Sequence, residues 1–176
     1  EVAVQGMSSP KLKQAYLRNI AMPAWCSRLM INLWPPMLGA GIHVEHIAAD
    51  YSEARVRMRH SILNSNLFGT HFGGSLFAMT DPFYTLLILH RLGKDYVVWD
   101  KRSEIDFLLP ARGTVRARFE VSAETIADIR QQTRDGEKYE PRFSVAITDR
   151  NDEIVAQVSK TIYVRRKPDR PALLSP

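Results

Sequence analysis

Apolar and polar residues follow three successive rhythms along this chain. Residues 10–21 and 24–34 repeat apolar positions at helical spacing: Leu12, Ala15, Tyr16 and Ile20, then Trp25, Leu29, Met30, Leu33 and Trp34. Ser8-Ser9-Pro10 opens the first run, Pro23 interrupts, and Pro35-Pro36 closes the second. From Gly41 the period falls to two. Ile42 and Val44, then Val56 and Met58 interleaved with Arg55 and Arg57, predict two strands that turn near Asp50-Tyr51-Ser52. A polar loop over 61–72 leads back into helical spacing from Gly73 to Leu92, with Leu76, Met79, Phe83, Leu86, Leu87 and His90 along one stripe. Gly93 stands just past its C-terminus, a position that favours glycine.

Alternation then returns. Val97, Trp99, Lys101, Ser103, Ile105 and Phe107 fall on one face of a strand, and Val98, Asp100, Arg102, Glu104 and Asp106 on the other. Val115, Ala117, Phe119 and Val121 alternate with charged residues, and 143–148 with 154–165 predicts a hairpin around Arg150-Asn151-Asp152-Glu153. Residues 123–138 are polar and read as a short helix or a charged excursion. Two strands, one long helix and about four more strands describe an α+β fold in which a sheet wraps a central helix.

Length and composition narrow this little further. A chain of 176 residues is most simply one domain with a proper core. Its expected divisions are an expression remnant over 1–6, a helical extension over 7–39, the main domain over 40–167 and a loose tail over 168–176. The extension is expected to pack on the core. Cys26 is the single cysteine, so no internal disulfide can form, which fits a cytoplasmic location. No apolar run approaches the roughly 18 residues of a membrane span, and no membrane contact is expected. The net charge of +5 is scattered without a nucleic-acid motif, so no nucleic-acid partner is expected. The surplus suits a phosphorylated ligand or mere solubility.

Candidate chemistry gathers where the polar loop meets the long helix. Gly73-Gly74 opens that helix with backbone N–H groups uncovered by side chains, a place where developing negative charge is stabilised. Asp81 follows Gly74 by seven residues, about two turns at roughly 3.6 residues per turn, and so lies on the same face. An anion-stabilising end and a carboxylate in line suit acyl transfer to water. Pro82 directly after Asp81 removes an amide donor and predicts a kink or a break.

The residues Asn66, Gly69, Gly73, Gly74 and Asp81, in the order Asn, two residues, Gly, three residues, Gly-Gly, six residues, Asp, resemble the motif of hot-dog-fold acyl-CoA thioesterases. The likeness is to the phenylacetyl-CoA thioesterase type and its tetrameric relatives, including domains of unknown function. Phe72 stands where that family has a histidine, and His71 lies one place earlier. Val98 to Gly113 resembles the strand, Pro-containing turn and following strand of the same proteins, so the likeness spans 40–166. It implies a hot-dog fold, an antiparallel sheet around one long central helix, preceded here by a helical extension. It implies an acyl-CoA or acyl-carrier thioester as substrate, no cofactor, and a homodimer or homotetramer with the site between protomers. Asp100 of one chain would then face Asp81 and Gly74 of another.

On that resemblance Asp81 acts as general base or nucleophile, Gly74 as an oxyanion donor with Ser75 beside it, and Asn66 positions the carbonyl or water. Asp100 adds a polar group, and Gly73, His71 and Phe72 bind substrate. Each has a plainer reading: a tight helix entry for the glycines, an exposed helical acid for Asp81, a turn amide for Asn66 and a salt bridge for Asp100. His43, His46 and His60 lack matched neighbours at metal spacing, so no metal is expected. Arg165, Arg166 and Lys167 suit a phosphate or plain solvation. An acyl-CoA binder without turnover, a dehydratase read from His71-Phe72, and a structural oligomer remain open as alternatives.

Overall fold

The alternating stretches become one antiparallel sheet. In the computed structural model, which describes residues 22–168, it has seven strands, and the helix expected over 10–21 lies outside the described residues. The strands are β1 (Ile42–Ile47), β2 (Glu53–Arg59), β3 (Tyr96–Phe107), β4 (Thr114–Glu120), β5 (Lys138–Tyr139), β6 (Arg142–Thr148) and β7 (Ile154–Arg166). In space they run β1-β2-β4-β6-β7-β3, with the short β5 also on β7. Period-two sorting is plain in β2 and β4. Ala54, Val56 and Met58 are buried between exposed or half-buried neighbours, and so are Val115, Ala117 and Phe119.

The buried face of the sheet holds the central helix. That helix comes in two pieces, α3 (Gly73–Ala78) and α4 (Phe83–Leu92). Phe83, Leu87 and Ile88 of α4 are fully buried, and α4 packs on β2, β3 and β4. The rings of Phe83 and Tyr84 meet Phe119 of β4. Each such side chain contributes about 1.5–3 kcal/mol by leaving water. An antiparallel sheet around a central helix is the hot-dog architecture, and the chain adopts it.

The front helices do pack on this body. Helix α1 (Ala24–Leu33) buries Ala24, Ser27 and Ile31, and Ser27 Oγ lies 2.7 Å from the Tyr51 hydroxyl. The Tyr51 ring in turn stacks on His90 of α4. The opposite face of α1 leaves Trp25, Leu29 and Leu33 exposed. Pro35-Pro36 closes α1 as expected and also starts a further helix, α2 (Pro35–Ala40), because proline suits the first helical turn, where no N–H is needed. The ambiguous polar stretch forms helix α5 (Ala123–Gln132), whose first turn is capped when Thr125 N–H donates to Ser122 Oγ at 3.1 Å.

The two rims of the sheet differ. At one, Asn32 of α1 holds β1 by both backbone groups of Val44: its Oδ1 accepts from Val44 N–H at 2.7 Å and its amide donates to Val44 C=O at 3.1 Å. The β1–β2 register also slips between Val44 and His46. At the other, β3 pairs with β7 on one side, and its second side has no strand partner among the described residues. Among the described residues no helix is long and apolar enough to cross a membrane.

Candidate active site

Pro82 determines where Asp81 ends up. Lacking an N–H, proline cannot continue the α3 ladder, and the chain turns through Thr80 and Asp81 before α4 begins at Phe83. The Asp81–Pro82 peptide is cis. Of the kink or break that Pro82 predicts in the helix over Gly73–Leu92, the chain takes the break, and Gly74 and Asp81 are not aligned by two turns of one helix. The two residues still share a site: both line one cavity of about 430 Å³, together with Phe77, Ala78, Ser103 and Lys160. The Asp81 side chain is 54% exposed into it.

Asp100 and Ser103 meet at the same place across a bulge. The β3–β7 register runs Asp100 opposite Ile162 and then Arg102 opposite Thr161, leaving Lys101 extra. One additional residue reverses the side on which everything beyond it points. Strict alternation puts Asp100 and Ser103 on opposite faces. In the structure both take the inner face, Asp100 beside Ile162 and Ser103 beside Lys160.

Lys160 joins the two acids. Its side chain is 2% exposed, and its Nζ lies 3.3 Å from Asp81 Oδ1 and 3.3 Å from Asp100 Oδ1. Thr85 of α4 donates its hydroxyl to Asp100 Oδ2 at 3.1 Å. Burial pushes the Asp100 carboxyl above its usual range, the Lys160 ammonium opposes that, and the Asp81 charge adds to it. Four elements thus meet at one ionic seam: the α3–α4 break, α4, β3 and β7. Asp81 and Asp100 come together within a single chain through Lys160, where the expectation had Asp100 reaching Asp81 from a neighbouring protomer.

The loop before α3 behaves differently. Every valence of the Asn66 side chain is used locally. Its amide donates to Thr70 Oγ1 at 2.8 Å and to His71 C=O at 3.2 Å, while its Oδ1 accepts from Phe68 and Thr70 N–H at 2.9 and 3.1 Å. This is the plain turn reading, and Asn66 does not line the cavity. His71 is 2% exposed; its Nε2–H donates to Gly113 C=O at 2.8 Å, and its Nδ1 is buried with no partner among the described residues. Burial holds its pKa below the ordinary 6.5. It too lies outside the cavity lining.

The glycines are hemmed by aromatic rings. A Cβ on Gly73 would come within 2.9 Å of the Phe107 ring, and one on Gly74 within 2.3 Å of Phe72. Ser75 N–H is occupied by Phe72 C=O at 3.0 Å, so it is no spare donor, whereas neither Gly73 nor Gly74 N–H finds an acceptor among the described residues. Of the residues expected to act on substrate, Gly74 and Asp81 face the cavity and Asp100 supports it from behind. Asn66, His71 and Ser75 bond within the local frame, while Gly73 packs against the Phe107 ring and Phe72 against Gly74.

Sequence reasoning missed Lys160, Thr85 and Ser103. A signal for Lys160 was present: Ala156, Val158, Ile162 and Val164 share its face of β7, so a lysine interrupts an otherwise apolar row. Asn64, in the loop before α3, is buried as well. Its amide donates to Ala40 and Arg59 carbonyls at 2.9 and 2.8 Å, and its Oδ1 accepts from Ser61 N–H at 2.7 Å.

Comparison with known proteins agrees with this architecture. The family described as Domain of unknown function (DUF4442) matches residues 23–164. A Pseudomonas aeruginosa protein of unknown function, described as a probable thioesterase, is 22% identical with a TM-score of 0.74, over 82% of this chain and 97% of that one. A thioesterase from Haemophilus influenzae is 13% identical at TM-score 0.61, covering 83% and 92%. The E. coli PaaI protein from the phenylacetic acid degradation operon is 18% identical at TM-score 0.57, covering 87% and 96%. At these identities the likeness is one of fold. No curated protein matches the chain in sequence.

Proposed function

The chain belongs to the DUF4442 family, and from that premise we propose that it hydrolyses acyl thioesters, of coenzyme A or of an acyl carrier, at the cavity between Gly74 and Asp81. One observation supports this above the rest: a backbone donor without an acceptor and a half-exposed carboxylate line the same cavity. Its volume of about 430 Å³ accommodates a thioester group with a water beside it, a water's share of the liquid being about 30 Å³.

In this mechanism the thioester carbonyl lies toward Gly74 with water between it and Asp81. Asp81 takes a proton from that water as the oxygen bonds to the carbonyl carbon. The carbonyl oxygen becomes an anion and accepts from Gly74 N–H, a type of contact worth about 10² to 10³ in rate. Collapse breaks the C–S bond, and the departing thiolate recovers the proton from Asp81, leaving acid and thiol. The buried, cavity-remote His71 speaks against the dehydratase alternative. The Phe72 ring over Gly74 favours a second reading, an acyl-thioester binder without turnover. Self-association follows most simply from strand pairing along the open side of β3, giving a dimer that can pair again as a tetramer.

Thiol release from acyl-CoAs of graded chain length tests the proposal, with Asp81→Asn as the control. Single turnover in ¹⁸O-water separates the two roles of Asp81: label in the protein carboxylate marks a nucleophile, label in the product acid alone marks a base. Binding without thiol release across the panel favours the binder.

A further inference from the structure

Lys160 occupies a place where a strand ordinarily keeps an apolar side chain. Val158 and Ile162, two residues away on either side along β7, are fully buried. Taking an ammonium out of water costs several kcal/mol, which only close counter-charges and hydrogen bonds offset. Both counter-charges come from other elements, and they differ. Asp100 is the sheltered one, its side chain 21% exposed and tied back to α4 by Thr85. Asp81 is the open one, on the cavity wall. Two carboxylates this close repel each other, and the cation between them is what makes the pairing tolerable.

Resting on the hydrolase reading of the same cavity, we propose that Lys160 is a positioning residue: anchored by Asp100, its ammonium holds Asp81 on the cavity wall and supplies the charge that lets two carboxylates stand side by side. The surroundings leave this task to Lys160. In register with it, β3 presents neutral Ser103 and β6 presents Phe143. Helix α4 presents Thr85. The charged residues nearby on β3 are matched elsewhere, Lys101 to Glu140 and Arg102 to Glu104.

Three variants separate positioning from simple cohesion. Lys160→Met removes the charge, so the carboxylate pair must keep a proton to higher pH. Lys160→Arg keeps the charge and changes its reach. Lys160→Met with Asp100→Asn removes charge and counter-charge together, which spares the fold an unpaired buried ion.

The measurement is the pH profile of kcat and KM for acyl-CoA hydrolysis, with carboxyl ¹³C NMR titration of Asp81 and Asp100 in each protein. In Lys160→Met the acid limb and the Asp100 carboxyl titration move up. In Lys160→Arg the limb stays while kcat falls, and in the double variant kcat falls at unchanged KM. Lys160→Met with wild-type titrations, or a double variant with wild-type kcat, overturns the proposal and leaves Lys160 a structural tie. If Lys160→Met does not fold, the double variant decides. If the wild-type chain releases no thiol, the hydrolase reading fails by itself, and the carboxyl titrations still judge Lys160.

Discussion

The loop over 61–74 and the seam around Asp81 are both rich in polar side chains, but they use them in opposite ways. In the loop, Asn64, Asn66 and His71 direct nearly every hydrogen bond at main-chain groups. That bonding fixes one backbone path, and none of the three lines the cavity. In the seam, Asp81, Asp100, Lys160 and Thr85 bond one another across four elements, and one carboxylate stays open. Polar residues that satisfy backbone build a frame, and polar residues that satisfy each other leave a reactive group available.

The sharpest way to break this contrast is at Asp81. Asp81→Asn is expected to lower kcat by about 10² to 10⁴-fold while acyl-CoA binding and thermal stability stay near wild type, measured by thiol release, calorimetry and melting. Loss of stability with full activity would move Asp81 into the frame.

Gly74→Ala comes next. Its new Cβ would sit 2.3 Å from the Phe72 ring, so the ring must swing aside, and about 100-fold of kcat/KM is expected to go. Adding Phe72→Ala tells which group obstructs. Recovery in the double variant blames the displaced ring, and no recovery blames the methyl itself.

On the frame side, Asn64→Ala leaves two carbonyls and one N–H without partners. It is expected to cost about 2 kcal/mol in urea unfolding, with the acid limb of the rate profile unmoved.

His71 gives the smallest effect and a signed one. Burial lowers its pKa below 6.5, so as pH falls through that value the unfolded chain takes up a proton that the folded chain refuses. The stability His71 lends is complete above 6.5 and drains away as pH drops toward the folded pKa. His71→Gln, which can still donate to Gly113 but does not titrate, should lose less stability than wild type between about pH 7.5 and 5.5. Equal losses would place the acid sensitivity elsewhere.

The element order was readable from the chain because each element repeats its signal many times over. Val56 and Met58 in β2 and Phe83 and Leu87 in α4 each restate a rhythm that one exception does not erase. The site depends on single events. One extra residue at Lys101 turns Ser103 to the side that Asp100 faces, one proline ends α3 at the point where Asp81 becomes accessible, and one lysine enters an apolar row at Lys160. Asp81 and Gly74 were recognisable as candidates through spacing, whereas Lys160 and Thr85 depend on contacts 79 and 15 residues away in sequence. Asn66 and His71 show a related limit: residue type reveals what a side chain can bond, and only the path of the loop reveals which backbone groups lie nearest.

The unequal rims of the sheet carry a consequence for crowding in the cell. Asn32 plugs the β1 rim as a neighbouring strand would, and the register slip beside it discourages further pairing. Among the described residues β3 has no such plug, so one rim of the sheet is bare and the other is closed. A side-chain amide on helix α1 thus stands in for a missing strand at Val44 and halves the strand edge open to unwanted pairing.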